Sequence, residues 1–143
     1  MAQLGPYAVS DAIELPPKRD YGIGVIGCGG IVNHAHLPAY TAHGLNIVAC
    51  FDQVRATAER TADAHGVGRI ASSLDDLLAD PRVEIVDIAI TPSAQAGVAV
   101  RAAAAGKHML CQKPLSDDYS DARAIVGAAR AAGVKLAVNQ QMR

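Results

Sequence analysis

Short apolar runs alternate with amphipathic stretches along most of this chain. Continuous apolar runs of a few residues are typical of strands that are buried on both faces, as in a parallel sheet. A weakly marked run of this kind lies at 69–71. The clear runs predict the other strands of the sheet and lie at 22–26, 46–51, 84–90, 107–111 and 135–138.

The stretches between these runs have the spacing of helices. Apolar residues recur every three or four positions before Gly133, which stands where a glycine cap ends a helix. Two further helices are predicted to end before Gly66 and Gly106, and a short one to open at Ser72 or Ser73. Because strand and helix alternate from the first run onward, the pattern predicts an α/β fold with a doubly wound, mainly parallel sheet.

The chain has 143 residues, which is the length of one domain. Residues 1–20 include Pro6, Pro16 and Pro17 and are predicted to form an extended arm, since proline interrupts regular pairing. The domain itself is predicted to span residues 21–143.

Charge and composition exclude several classes of function. Thirteen Lys and Arg residues against fourteen Asp and Glu give a net charge of −1, which offers no general attraction for nucleic acid or an anionic membrane. With four Tyr, one Phe and no Trp, the chain lacks an aromatic platform for stacking bases. No signal peptide is visible, and no apolar run reaches the roughly 18 residues of a membrane span. Three cysteines without disulfide or zinc spacing indicate reduced thiols, so a cytoplasmic location is expected.

A glycine-rich turn follows the first strand. Gly27 and Gly29 stand where a dinucleotide-binding turn needs a tight bend and a close approach of the backbone to pyrophosphate, and Gly30 adds freedom beside them. Amide groups at the start of the following helix would hold the phosphates. The third glycine position of the fingerprint is Val32. An ordinary strand–helix turn is the alternative, because a glycine fingerprint alone is weak evidence.

Asp52 ends the second strand, 22 residues after Gly30, which is close to the spacing of an acid that binds ribose hydroxyls. Its carboxylate would repel a 2′-phosphate, so NAD is favoured over NADP as the cofactor. The alternative role is a cap on the helix predicted to begin at Val54. The two roles are compatible.

Two later turns also follow strands. Thr91 and Pro92 would border the cofactor, because the carboxyl ends of strands line the ligand crevice of such sheets; a proline-initiated helix start is the alternative. Lys113 follows a buried strand and precedes a proline, so its amine would project from the same edge as Asp52. A lysine there could stabilise a substrate oxygen during hydride transfer, and a surface lysine is the alternative.

Together these motifs resemble the Gfo/Idh/MocA oxidoreductases, a family of glucose-fructose-oxidoreductase-like and inositol-dehydrogenase-like enzymes. The resemblance implies a Rossmann fold that binds NAD(P), and oxidation or reduction at a carbinol carbon of a sugar or cyclitol. It runs from about residue 21 to the end, and several motifs occur in order. These are Gly27-x-Gly29-Gly30-Ile31, His36-Leu37-Pro38-Ala39, Asp52, Thr91-Pro92, Gly106-Lys107-His108 and Lys113-Pro114.

The resemblance also implies roles for single residues. Lys113 would be the catalytic lysine of the family's Glu-Lys-Pro motif, which meets the reacting oxygen of the substrate. His36 would mainly pack its helix near the crevice. The residues expected to bind the cofactor are Gly27, Gly29, Gly30, Ile31, Asp52, Thr91, Pro92, Gln112 and Asn139.

The chain departs from the family pattern at three points. Gln112 stands where the family usually has Glu, and Ala96 where a histidine is common. The chain also stops where the family continues into a second α/β domain, which supplies the substrate contacts and an acid–base partner. The whole protein would therefore act on a sugar or polyol through that missing domain, and would form a homo-oligomer.

Two other functions remain open, namely a non-catalytic module that senses NAD(H) and a coenzyme A-binding domain; Asp52 and Lys113 argue against the second. No metal is expected, because His34, His36 and His43 have no carboxylate at ligand spacing. Cys28 is interpreted as a small residue that fills the turn, with a reactive thiol as the alternative. Asp87 is expected to find a backbone or lysine partner inside its strand.

Overall fold

Five parallel strands form the centre of the structure, a computed structural model that describes residues 16–140. They lie in the order β2-β1-β3-β4-β5, and every neighbouring pair is parallel. This confirms the predicted doubly wound α/β fold. Most of the predicted arm and the last three residues lie outside the described residues. The strands are β1 (Gly22–Ile26), β2 (Asn46–Phe51), β3 (Ile85–Ile88), β4 (His108–Gln112) and β5 (Leu136–Asn139).

The weakly marked run at 69–71 does not form a full strand. Ile70 makes a single parallel bridge to Cys50 of β2, and the amide of Ala71 donates to the carbonyl oxygen of Cys50 at 2.9 Å. Since β1 occupies the other side of β2, this bridge extends the sheet outward. With it the order becomes that of a six-stranded Rossmann sheet.

Helices cover both faces of the sheet. One face packs against α1 and α2 in a cluster that includes Val25, Leu37, Cys50 and Ala58. The other face packs against α3, α4 and α5 in a larger cluster centred on aliphatic and alanine side chains. The helices are α1 (Leu37–Ala42), α2 (Arg55–His65), α3 (Leu74–Ala79), α4 (Pro92–Ala104) and α5 (Tyr119–Ala132), and a π-helical segment (Val32–His36) precedes α1.

The helix ends follow from local side chains and glycines. The Ser73 hydroxyl accepts a hydrogen bond from the amide of Asp76 at 3.0 Å, which caps α3 as predicted. Gly66 and Gly133 take the left-handed conformation (φ 68° in both) that ends α2 and α5. Among the described residues, no helix is long and apolar enough to cross a membrane.

A polar cluster holds the amino-terminal edge of the sheet, opposite the strand ends considered below. The Arg82 guanidinium donates to both carboxylate oxygens of Asp80, at 3.0 and 2.7 Å. The buried Lys107 ammonium donates to the carbonyl oxygens of Asp80 and Val83 at 3.0 and 2.7 Å. These hydrogen bonds join the loop before β3 to the start of β4.

We expect the Asp80–Arg82 pair to contribute to acid stability. Hydrogen bonds from Arg82 lower the pKa of Asp80 from 3.8 to about 2. A carboxyl whose pKa is lower in the folded state stabilises the fold above the unfolded value, and this contribution is lost as the pH falls from about 4 to about 2. The melting temperature of the Asp80→Asn variant should therefore fall by less than that of the parent when the pH is lowered over that range. Thermal melts followed by circular dichroism measure both decreases. Asp63→Asn, on the exposed side of α2, is the matched control and should follow the parent.

Candidate functional site

A cleft of about 710 Å³ opens at the carboxyl ends of β1, β2 and β3. This is the point where the connections from β1 and from β3 leave toward opposite faces, the position at which ligands bind in open α/β sheets. Of the expected cofactor-binding residues, those lining the cleft are Gly27, Gly29, Gly30, Ile31, Asp52 and Thr91.

Gly27 forms the tight bend at the base of the cleft. Its φ of +90° is strained for any residue with a side chain, and a Cβ atom would lie 2.4 Å from the carbonyl oxygen of Ala89. Its amide donates to the carbonyl oxygen of Phe51 at 2.9 Å. Gly29 and Gly30 are exposed, and a Cβ atom on Gly29 would meet no protein atom within 4 Å. The turn thus presents bare backbone to the cleft.

Asp52 connects the glycine turn to the second strand. Its Oδ2 accepts from the amide of Cys28 at 2.9 Å, and its Oδ1 accepts from the amide of Val54 at 2.8 Å. The predicted capping role is wrong in detail, because α2 begins at Arg55 and its N-cap residue has no side-chain hydrogen bond. A carboxylate has about four acceptor positions, so each oxygen can still accept from a ligand hydroxyl.

Cys28 fills the inside of the turn and is buried. Its hydrogen bond with the Cys50 thiol and its burial raise its pKa above the usual range. A thiol with a raised pKa carries little thiolate, the reactive form. The structure therefore supports the turn-filling interpretation over the reactive thiol.

The Thr91-Pro92 turn is a helix start that also borders the cleft. Pro92 is the first residue of α4, which confirms the proline-initiated alternative. Thr91 lines the cleft, but Pro92 is not among the lining residues. The helix start is thus confirmed for Pro92, while the cofactor contact of Thr91 stays a prediction.

Lys113 lies in a loop that a buried glutamine holds in place. The Nε2 of Gln95, a fully buried residue of α4, donates to the carbonyl oxygens of Gln112, Pro114 and Leu115 at 3.0, 3.1 and 2.7 Å. Lys113 itself is half-buried and lies beyond the residues that line the cleft. Gln95 was not predicted to support the site, although a glutamine among the small apolar residues of a helix is a signal of a buried polar contact.

The expectation for Asp87 was wrong about its partner. Its Oδ2 accepts from Nδ1 of His36 at 2.7 Å and from the hydroxyl of Tyr40 at 2.8 Å, not from the backbone or a lysine. His36 also contacts Asn139, with 3.2 Å between His36 Nε2 and Asn139 Nδ2. These contacts could not be predicted from the sequence, because 51 positions separate His36 from Asp87.

The donor set of this site suits a dinucleotide. The bare backbone at Gly29 leaves room for a bulky phosphate, and the half-buried Asp52 carboxylate offers acceptors for hydroxyl groups beside it. Among residues 16–140, no cluster of His, Cys, Asp or Glu side chains converges as the ligands of a metal would. Fold and site together define a nucleotide-binding Rossmann domain.

Comparison with known proteins gives the family of this domain. The family model described as "Oxidoreductase family, NAD-binding Rossmann fold" matches residues 21–140. The chain therefore belongs to the Gfo/Idh/MocA oxidoreductases, as the motifs indicated, and this is a family of NAD(P)-binding proteins.

Individual relatives agree with this assignment. The chain is 34% identical over 120 residues to the 1,5-anhydro-D-fructose reductase of Ensifer adhaerens, a match that covers 84% of this chain and 36% of that protein. KijD10, a 3-ketoreductase from Actinomadura kijaniata solved with NADP and TDP-benzene, superimposes with a TM-score of 0.77 at 31% identity, covering 82% of this chain and 36% of that one. The WlbA dehydrogenase from Chromobacterium violaceum was solved with NADH and UDP-GlcNAcA. It superimposes with a TM-score of 0.82 at 25% identity, covering 92% of this chain and 38% of that one. The chain thus spans about a third of the length of the relatives it matches.

Two glycine substitutions should separate the contribution of the turn to folding stability from its contribution to dinucleotide binding. Gly27→Ala places a methyl group against the Ala89 carbonyl at a positive φ, so we expect a loss of about 2 kcal/mol or more in the free energy of unfolding. Gly29→Ala should leave that free energy nearly unchanged, because its methyl group meets only open space, but should weaken dinucleotide binding. Urea denaturation and a fluorescence titration with NADH measure the two effects. An equal loss of stability in both variants would contradict the assignment.

Removing the Gln95 amide should loosen the lysine loop. Gln95→Leu leaves three carbonyl oxygens without their donor, which typically costs about 1–3 kcal/mol for a buried group. Urea denaturation should show this loss. The rate of amide hydrogen exchange should rise more at residues 112–117 than in the strands of the sheet. Gln53→Leu, at an exposed position, is the control. If hydrogen exchange at residues 112–117 were unchanged in Gln95→Leu, the Gln95 hydrogen bonds would not be what holds this loop.

Proposed function

We propose that this chain is the cofactor-binding part of an enzyme that transfers hydride between a nicotinamide cofactor and a carbinol carbon of a sugar or polyol, cyclitols included. The observation that carries the proposal is the joint placement of the open glycine turn and the Asp52 carboxylate in one cleft, tied by the hydrogen bond from Cys28. Relatives named 1,5-anhydro-D-fructose reductase, D-apiose dehydrogenase and inositol 2-dehydrogenase support the class of substrate.

The glycine turn is proposed to hold the diphosphate. Gly29 and Gly30 let the backbone approach the phosphates, and the helical segment that follows directs its amide groups toward them. Ile31, which is 39% exposed, would cover this group from the side. Thr91 would border the same cavity on the β3 side, with Pro92 behind it as the first residue of α4.

Asp52 is proposed to select NAD(H) over NADP(H). Its two backbone hydrogen bonds fix the carboxylate at the end of β2, where it can accept from the hydroxyls of the adenosine ribose. A 2′-phosphate at the same place would meet a fixed negative charge. The nearby Arg55 pairs with Glu59 at 2.9 Å and not with Asp52.

Lys113 is proposed as the catalytic residue. Reduction of a carbonyl carbon by the hydride that the nicotinamide ring supplies places negative charge on the substrate oxygen, and an ammonium group beside that oxygen stabilises it. Gln112 and Asn139, on neighbouring strand ends, are proposed to contact the cofactor near this point. The Gln95 hydrogen bonds would keep the lysine backbone in place.

The remaining parts of the proposal concern the whole protein. Since the chain spans about a third of its relatives, we propose that a further domain supplies substrate contacts and the acid–base partner of Lys113, and that the whole protein is a homo-oligomer. The free thiols of Cys28, Cys50 and Cys111 suit a reducing compartment, and a cytoplasmic location is proposed.

Calorimetric titration with NADH and NADPH tests the cofactor preference. We expect NADH to bind at least about tenfold more tightly than NADPH, since a fixed carboxylate facing a phosphate is strongly unfavourable. Asp52→Asn keeps the size of the side chain but removes its charge and one of its two hydrogen bonds with backbone amides, so it should shrink the ratio of the two affinities. Asp63→Asn should not change the ratio. Equal affinities in the parent would refute the NAD preference, and the absence of binding by either dinucleotide would refute the proposed function.

A further inference from the structure

Four polar side chains form a network between the first helical segment and the sheet. His36 and Asp87 are buried, with 7% and 1% of their surface exposed, while Tyr40 and Asn139 are half-buried. The network joins the π-helical segment, α1, β3 and β5. None of its members lines the cleft described above.

The Asp87 carboxylate orients the histidine ring. A carboxylate oxygen accepts, so the 2.7 Å contact means that Nδ1 of His36 carries the proton and donates it to Asp87 Oδ2. In the neutral ring Nε2 is then an acceptor. Nε2 lies 3.2 Å from Nδ2 of Asn139, which therefore donates to it. The hydroxyl of Tyr40 donates to the same Asp87 oxygen and helps to keep it in place.

The network determines which atom of the Asn139 side-chain amide faces His36 and which one can bind another partner. Because Nδ2 donates to His36, the carbonyl oxygen Oδ1 is left as the acceptor for another partner. Asn139 is the last residue of β5 and pairs with Gln112, the last residue of β4, directly before Lys113. A dinucleotide lies across the crevice of a Rossmann sheet, so the edge formed by β4 and β5 serves the half that does not contact Asp52.

An irregular helix places the histidine in this network. The segment Val32–His36 is π-helical, and the amide of Leu37 donates to the carbonyl oxygen of Val32, five residues back. Wider turns of this kind are rare in proteins, and those that do occur are often found at functional sites. Here the widened turn ends at the residue that contacts both Asp87 and Asn139.

We propose that His36, held by Asp87, is a positioning residue that directs the Asn139 amide toward the nicotinamide half of the dinucleotide. The inference rests on the proposed cofactor function and extends it to His36 and Asp87. His36 acts through Asn139 and does not itself contact the cofactor. The packing role expected for His36 explains its burial, but it does not explain a network that ends at the edge of β5.

Comparison of two ligands separates positioning from structural support. NADH carries the nicotinamide ring, whereas ADP-ribose contains the adenosine, the diphosphate and the second ribose without it. His36→Asn retains an amide donor near the position of Nδ1, for Asp87, but removes the acceptor at Nε2. We expect NADH to bind His36→Asn about fivefold more weakly, the effect of roughly one hydrogen bond, and ADP-ribose to bind with unchanged affinity.

Matched variants complete the experiment. His34→Asn, at an exposed position of the same helical segment, should leave both affinities unchanged. Asn139→Ala should reproduce the loss for NADH, and the double variant should bind NADH no more weakly than Asn139→Ala alone, because the two residues act through one contact. Additive losses in the double variant would overturn the proposal.

The pH dependence of the unmodified chain gives a test that needs no variant. The hydrogen bond with Asp87 raises the pKa of His36 above 6.5. Below that pKa both ring nitrogens donate, so Asn139 must turn its oxygen toward the ring. The ratio of NADH to ADP-ribose affinity should therefore fall as the pH is lowered from 9 to 6.5, and should stay constant in His36→Asn.

Other titrating groups around His36 do not account for this dependence. Beside Asp87, they are Tyr40 on α1 and Cys111 on β4, together with the exposed His34 on the same segment. Burial raises the pKa of Cys111 to about 12, and burial with the nearby Asp87 charge raises that of Tyr40, so both stay protonated. His34→Asn removes the other histidine of the same helical segment and should keep the pH dependence of the parent.

The outcomes distinguish the two proposals. Equal weakening of NADH and ADP-ribose in His36→Asn, or a ratio that does not change with pH, would overturn the positioning role while the cofactor function stands. Failure of the parent to bind either ligand would overturn the cofactor function and the positioning role with it.

Discussion

The structure depends on how closely three strands approach one another where β1 ends. At this point the amide of Gly27 donates to the Phe51 carbonyl of β2, and the amide of Ala89 after β3 donates to the Ile26 carbonyl of β1, both at 2.9 Å. No side chain fits between them, since a Cβ atom on Gly27 would overlap the Ala89 carbonyl. The close approach forces the chain to turn sharply out of β1, and the cleft opens directly beyond that turn.

The two halves of the strand edge are held by different kinds of contact. On the β1–β2 side a tight backbone turn sets the geometry, and the Asp52 carboxylate supports it by accepting from two backbone amide groups. On the β4–β5 side, side chains hold the edge, namely Gln95 at the lysine loop and His36 at Asn139. A tight backbone turn accepts few side chains, whereas a contact that a single side chain makes can be lost with one substitution.

The same division decides how much could be predicted from the sequence. Local patterns predict the positions of the turn after β1, of Asp52 after β2 and of the Ser73 cap, and the structure has these features there. The cofactor roles of the turn and of Asp52 stay predictions. The run at 69–71 was predicted as a strand but forms only a bridge at Ile70, because the five residues between Gly68 and the start of α3 leave little length for pairing. The Asp87 and Gln95 contacts could not be located, because their partners lie on other elements and only the folded sheet brings them together.

The side chains next to the Lys113 loop, Gln95 and Gln112, are neutral amides and carry no charge that could pair with the lysine. The family pattern usually has a carboxylate at position 112, which would share the charge of the neighbouring lysine. Here the loop is fixed by hydrogen bonds from a neutral amide to the backbone on both sides of Lys113, and the lysine takes part in no ion pair among the described residues. A backbone held by a neutral group leaves the ammonium charge uncompensated. That charge is then available to an oxygen that becomes negative during a reaction, so the glutamines are consistent with a catalytic lysine even though the usual acid is absent.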